Sequence, residues 1–296
     1  MKKEKAFAIS ELLGSMIIFG TIGIFRRYIP YSSGLIAMAR GLVGVLFLLL
    51  LLLIKKRRVS FASVKKNLPI LSISGALIGF NWILLFEAYE YTSVATATLC
   101  YYMAPVFVIA VSPIFLGERM TLKKTAAALV ALFGMVLVSD ILSVGVGGLG
   151  EIRGILLGLG AAILYASVII LNKKLKDISA YDRTILQLGA AFAVLLPYVL
   201  ITEKVTEIKF TLTPFLLLLL VGVVHTGIAY ALYFSSMERL PAQTVAIFSY
   251  LDPILAVLLS AVILHEKMSI LGAIGAVLIL GATLICELPS RKNNPL

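Results

Sequence analysis

The chain has 296 residues, 60% hydrophobic and 14% charged, with mean hydropathy +1.05 and a formal net charge of +11. A soluble domain carries about 45–50% apolar and about 25% charged residues, so this chain could not cover itself with polar surface and most of it must be solvated by lipid. In such a chain the excess positive charge reads as the Lys/Arg bias of cytoplasmic loops, not as a nucleic-acid site. Cys100 and Cys286 both fall in apolar runs with no CxxC or other metal spacing, which argues for small packing residues and against a disulfide framework or metal site. No cofactor is expected.

The N-terminus, MKKEK followed by apolar residues from Phe7, has the look of a signal peptide. No A-x-A-like cleavage site follows it. Phe19-Gly20 also align with Tyr165-Ala166 much later in the chain, so the first apolar segment is expected to be retained. Ten such segments are predicted: 7–25, 33–54, 68–88, 94–116, 122–139, 151–171, 183–202, 212–234, 242–264 and 270–287. Each suits a helix of about 20 residues crossing a hydrocarbon core of about 30 Å, and is too long for a barrel strand. Glycines at four-residue spacing, Gly75/Gly79 and Gly154/Gly158, are read as points of close helix approach.

The second segment contains Arg40, the sole basic residue within a span. Counting from residue 33 at ~1.5 Å per residue puts it about 10 Å deep. There it must snorkel, pair or meet a ligand; Glu87, near the outer end of span three, is a candidate partner. Asn81, Trp82, Tyr101, Tyr102, Tyr230, Tyr233, Ser249 and Tyr250 cluster on spans three, four, eight and nine. Aromatic faces with polar tips among a few polar groups suit a cavity for a cationic or amphipathic solute.

Asp252 is the foremost candidate. An ionised Asp at a helix centre costs about 2.5–3.5 kcal/mol on insertion scales, so it usually faces a cavity or partner. Pro253 lacks an N–H and leaves the Ser249 carbonyl free; Pro105 does the same for Tyr101. The reading is a midplane polar site in which Asp252 binds a cationic group or a proton. His225, the one histidine within a span, is a second proton-coupling candidate.

Two stretches repeat. Residues 98–121 read TLCYYMAPVFVIAVSPIFLGERMT and residues 246–269 read AIFSYLDPILAVLLSAVILHEKMS. Pro105 and Pro253 stand 148 residues apart, as do Glu118 and Glu266. Gly79, Trp82 and Phe86 likewise match Gly227, Tyr230 and Phe234. The aligned copies differ at one telling place: Ala104 in the first is Asp252 in the second. Glu118 and Glu266 end their spans, with Thr121 or Ser269 three residues on as N-caps of the next helix. They are read as organisers of tight hairpins, not ligands. The copies are spans one to five, residues 1–145, and spans six to ten, residues 146–296. Five spans per copy is odd, so the second enters the membrane in the opposite sense, as an inverted repeat.

With the N-terminus in the cytoplasm, 19 of the 26 Lys and Arg fall inside and 6 outside, Arg40 lying within a span. That bias predicts both termini in the cytoplasm.

The pattern G-x-x-W/Y, Y-x-x-P-V/I and L-x-E-K/R-M-T/S, present twice, resembles the EamA family of the drug/metabolite transporter superfamily. The residues are Gly79, Trp82, Tyr102, Pro105, Glu118, Arg119 and Thr121, then Gly227, Tyr230, Tyr250, Pro253, Glu266, Lys267 and Ser269. The resemblance spans essentially the whole chain. It implies an all-α membrane protein of ten helices in two inverted five-helix repeats around a central cavity. It implies secondary transport of small metabolites, often export, and supports an Arg at position 40. The expected function is alternating-access transport of amino acids or amines, with Asp252 as the proton-coupling group. The alternatives are transport of carboxylates through Arg40, a non-transporting membrane protein, or an intramembrane enzyme. The expected setting is the bacterial cytoplasmic membrane. The expected partners are a small-molecule substrate, lipid and protons, with no nucleic acid, in a monomer or homodimer.

Overall fold

A computed structural model describes residues 2–57, 59–117, 122–138, 149–204, 211–237, 239–240, 248–249 and 251–287. The described elements are helices. In chain order they are α1 (Lys2–Gly20), α2 (Ile22–Arg27), α3 (Ser33–Ile54), α4 (Phe61–Tyr91), α5 (Val94–Tyr101), α6 (Ala104–Leu116) and α7 (Leu122–Val138). There follow α8 (Leu149–Lys173), α9 (Ala180–Thr202), α10 (Leu212–Leu220), a π-helical stretch (Val221–Ile228), α11 (Ala229–Met237), α12 (Leu251–Ile263) and α13 (Ile270–Glu287). Among the described residues, seven helices are long and apolar enough to cross a membrane, and three apolar helices are shorter: Thr125–Leu137, Leu251–Ile263 and Ile270–Ala282.

Local chemistry accounts for most boundaries. Ser32, Ser93 and Ser179 cap α3, α5 and α9, each accepting an N–H three residues on. Ser179 starts α9 three residues before the apolar run at Arg183 suggested, and its hydroxyl satisfies the Asp182 amide. The α4 helix is longer than the expected 68–88 in both directions. Its extra first turns carry Lys65, Lys66 and Asn67, and Asn67 is held by hydrogen bonds with Ser63 and Lys176. Pro69 therefore lies inside α4 instead of starting it.

Two expected spans are interrupted. The first continues past Gly20 through a break at Thr21, whose hydroxyl donates to the Ile18 carbonyl at 2.7 Å, and ends at Arg27. The fourth, expected as one helix, divides at Tyr102–Met103. Pro105 has no N–H for the Tyr101 carbonyl. The chain turns tighter there, with Met103 N–H donating to Cys100 at 3.1 Å. The expected ninth span, 242–264, is described only at 248–249 and from Leu251 onward.

The helices pack in a consistent set. The α4 helix lies against α8 and α9, and α3 lies against α9 and the π-helical stretch. The α1 helix lies against α11 and α12, α5 against α8 and α12, and α7 against α13. The largest core joins α3, α4, α9 and the eighth span through Ile36, Leu48, Phe86, Leu188, Leu195 and Val221. A second core under α5, α6, α7, α8 and α13 is built on Leu99, Met103, Ala131 and Ile279. Large apolar side chains such as Leu53, Leu156, Ile201 and Val277 face outward, where lipid is the matching solvent.

Candidate functional site

The break between α5 and α6 aims Tyr102 across the molecule. Its hydroxyl donates to Asp252 Oδ2 at 2.6 Å, joining residues 150 apart in sequence. Asp252 opens α12, and Gly20 of α1 closes on the backbone there: a Cβ at Gly20 would stand 2.9 Å from the Asp252 carbonyl oxygen. The carboxylate thus lies where α1, α5 and α12 meet. Tyr101 turns the other way, with its ring 5.9 Å from that of Tyr102 and 5.3 Å from that of Tyr165 on α8.

Arg40 is buried on α3, with 4% of its surface exposed. Its Nε–H donates to Thr226 Oγ1 at 3.1 Å. The guanidinium carbon lies 4.3 Å from the centre of the Trp82 ring and 5.2 Å from that of Phe86. Such stacking offsets part of the loss of water around the cation. Among the described residues, Nε is the one Arg40 nitrogen with a hydrogen bond. Glu87, the partner suggested by sequence, instead accepts from Ser33 at 2.8 Å, and Ser33 also receives Arg26 at 3.2 Å. Glu87 and Phe86 are consecutive on α4, so their side chains leave the helix about 100° apart, and it is the Phe86 ring that faces Arg40.

Tyr89 packs on Phe86, the ring beside Arg40, with centres 6.4 Å apart, and Tyr101 packs on Tyr102, the donor to Asp252. The two ionisable groups therefore flank one patch of tyrosines. Tyr230 and Tyr233 extend it, packing on Phe19 with ring centres 5.5 and 6.3 Å apart and on Phe234 at 5.8 and 5.7 Å. Asn81 is buried and turns away, donating to the Ala161 carbonyl at 2.5 Å. That bond fastens α4 to α8. Ser249 is half-buried and helical. Tyr250 and Glu118 lie outside the described residues.

His225 lies in the π-helical stretch with 1% of its surface exposed. Its Nε2 is 2.9 Å from Thr21 Oγ1, and its ring meets Phe25 edge-on at 4.9 Å. Asp252 and His225 thus take separate protein partners, Tyr102 and Thr21.

Glu266 reaches beyond its own hairpin. Its carboxylate accepts from Arg27 at 3.0 Å, from the Val94 amide at 2.8 Å and from Ser260. Arg27 also donates to the Thr92 carbonyl at 2.8 Å. These bonds clamp the ends of α2, α5 and α12 together. Ser269 caps α13 as expected, accepting the Gly272 amide at 3.0 Å. Pro253 is buried at the start of α12, and Pro105 is half-buried at the start of α6.

Thr21, Thr226, Tyr89 and Tyr165 belong to this site and were not singled out from sequence. Thr226 had a signal available, since it adjoins His225 in a span otherwise poor in polar side chains. Tyr165 had one too, as it aligns with Phe19.

The arrangement is a half-buried carboxylate and a buried guanidinium around an aromatic patch inside an apolar helix bundle. That is the kind of site found in membrane carriers for small polar solutes. The profile of the EamA-like transporter family matches residues 6–140 and again 152–287. The chain belongs to that family, and it is an integral membrane protein. Similar proteins bear out the class. "Uncharacterized transporter YxxF" of Bacillus subtilis (strain 168) is 28% identical over 279 residues, covering 94% of this chain and 88% of its own length. An "Uncharacterized transporter" of Archaeoglobus fulgidus is 28% identical over 276 residues, covering 92% and 93%. A solved crystal structure shares the fold with a TM-score of 0.68 at 18% identity, over 97% of this chain and 96% of that one. Family and relatives name a membrane transporter, not an enzyme.

Proposed function

We propose that the protein is a secondary-active carrier of small zwitterionic metabolites, such as amino acids, working by alternating access between two inverted five-helix repeats. The observation that carries this reading is the part-buried Tyr102–Asp252 hydrogen bond, 2.6 Å long, within an apolar bundle where Arg40 is buried. Asp252 takes the substrate's ammonium group and Arg40 its carboxylate, with the tyrosine patch against the apolar part. A proton competes for Asp252, which makes the protein an exchanger of substrate and proton, exporting across the bacterial cytoplasmic membrane with both termini inside.

The packing supports a repeat of inverted sense. Exchanging spans one to five with six to ten turns α4–α8 into α11–α1, α4–α9 into the eighth span against α3, and α5–α8 into α12–α1. The contacts α3–α9, α5–α12 and α7–α13 map onto themselves. Gly79 approaches Leu195, and Gly227 approaches Phe47; 79 and 227 are 148 apart, as are 47 and 195. The turn after α6 uses Gly117 at φ +65°, and that after α12 uses His265 at φ +54°, again 148 apart. Two similar halves of opposite sense supply two states of similar energy around one midplane site.

A second reading, a carrier of carboxylates alone, draws on Arg40, whose terminal nitrogens carry no hydrogen bond to a described residue. Uptake of labelled leucine, isopentylamine and 4-methylpentanoate by reconstituted liposomes separates the two. The zwitterion reading predicts that leucine moves fastest. Faster flux of 4-methylpentanoate favours the carboxylate reading, and absence of saturable flux for all three contradicts both.

A further inference from the structure

The surroundings of His225 assign it a hydrogen-bonding state. The Thr21 hydroxyl has one proton, and that proton goes to the Ile18 carbonyl at 2.7 Å. Toward His225 Nε2, 2.9 Å away, Thr21 can therefore only accept. Nε2 carries the hydrogen, and in the neutral ring Nδ1 is a bare acceptor. Nδ1 is buried, in a side chain 1% exposed, and has no partner among the described residues. An acceptor buried without a donor destabilises the fold, so the position is unexplained by folding alone. Phe25, edge-on at 4.9 Å, helps fix the ring plane.

Next to it, Thr226 holds Arg40 by the Nε–H, which leaves the far side of the guanidinium for a ligand. Arg40 is thus held by the residue that follows His225 in the chain. Both site residues of this span lie in the π-helical stretch Val221–Ile228. Such a stretch re-phases side chains relative to an α-helix and recurs at functional sites.

We propose that His225 is a specificity-determining residue: Nδ1 accepts a hydrogen bond from an N–H or O–H next to the carboxylate held by Arg40. The solute class is then α-amino or α-hydroxy carboxylates, in preference to carboxylates lacking that donor. This rests on the carrier reading, in which Arg40 holds the anionic end.

Two substitutions dissect the ring. The amide of Gln reaches the Nε2 position and keeps the Thr21 contact without an acceptor at Nδ1. The shorter amide of Asn puts an acceptor near Nδ1 and gives up Thr21. Purified protein in detergent is titrated with leucine, 2-hydroxy-4-methylpentanoate and 4-methylpentanoate, and affinity is read from the ligand-dependent rise in melting temperature. Wild type is expected to bind 2-hydroxy-4-methylpentanoate about tenfold more tightly than 4-methylpentanoate, the size of one lost hydrogen bond to a buried group, and leucine more tightly still through Asp252. His225→Gln should bind the two ammonium-free acids alike, and His225→Asn should keep the preference for the hydroxy acid. A hydroxy-acid preference undiminished in His225→Gln, or absent in wild type while 4-methylpentanoate binds, overturns the assignment and leaves the Arg40 site standing. If no carboxylate raises the melting temperature, the Arg40 reading fails and this one with it.

Discussion

Among the described residues, Asp252 and Tyr102 form the one hydrogen bond at this site that joins the two copies of the motif. Replacing Asp252 by Asn keeps the shape and removes the charge. Transport of an ammonium-bearing solute should fall at least tenfold, since a charge-assisted contact contributes more than about 1.4 kcal/mol. The pH dependence of flux should vanish with it. Unchanged pH dependence in this variant would remove Asp252 as the coupling group. Tyr102→Phe removes only the donor, and a rise in KM of about tenfold or less is expected. Away from the membrane, Lys66 Nζ binds Asp177 at 2.9 Å and holds its carboxyl below the usual carboxylate range, chiefly through that hydrogen bond. A depressed carboxyl stabilises the fold above its unfolded value and loses that contribution as pH falls through the folded one. Asp177 is fully exposed, so the pair is screened. Asp177→Asn should leave the melting temperature at pH 7 nearly unchanged, and calorimetry between pH 3 and 7 checks this.

Among these residues, sequence alone identified Asp252, Arg40 and His225, because charge or a titratable ring in an apolar run needs an explanation at any depth. It did not identify their partners. Tyr102 and Asp252 are 150 residues apart, and Arg40 and Thr226 are 186 apart. Glu87 was the nearest opposite charge to Arg40 by depth. The stacked faces of Trp82 and Phe86 and a hydroxyl from another span took that place, and helix periodicity carries no information about which span lies opposite.

At the scale of elements, glycine contacts and the Glu266 clamp set how helices meet. A Cβ on Gly227 would stand 2.6 Å from the Phe47 ring. Gly227→Ala should therefore destabilise by about 1–3 kcal/mol, the usual cost of overpacking. Adding Phe47→Leu should return part of that loss, and melting temperatures of the three variants form the cycle that checks it. The clamp of Glu266 with Arg27 and Val94 ties the ends of α2, α5 and α12. In a carrier that opens at that end, the clamp must break once per cycle. Spin labels at exposed Tyr28 and Lys267, next to the clamped pair, should report a longer distance component in Glu266→Gln than in wild type. An unchanged distribution would make the clamp a purely structural tie.

These elements were legible to different degrees. The apolar segments, the proline at the α5–α6 break and the Ser269 cap follow from local chemistry, so sequence reading reached them. The π-helical stretch did not. Its residues, VGVVHTGI, fit an α-helix by composition. There Gly222 and Gly227 leave room for Val43 and Phe47 of α3, a contact with another span that no local signal reports. The reach of Glu266 was hidden for the same reason, since its position within a hairpin looked sufficient.

The whole molecule is an apolar bundle in which Arg40 and Asp252 stand beside aromatic side chains, and one mismatch in its repeat introduces a charge. Prolines, glycines and left-handed turns recur at 148-residue spacing, which serves a scaffold with two related states. Ala104 against Asp252 puts a carboxylate at this position in one copy alone, and in the proposed mechanism that carboxylate meets the solute or the proton. Counterflow in liposomes preloaded with unlabelled leucine tests this most directly. The account predicts that preloading accelerates entry of labelled leucine into wild-type liposomes, saturably, and that Asp252→Asn lowers this exchange at least tenfold. Entry indifferent to preloading, or equal in the two proteins, would contradict it.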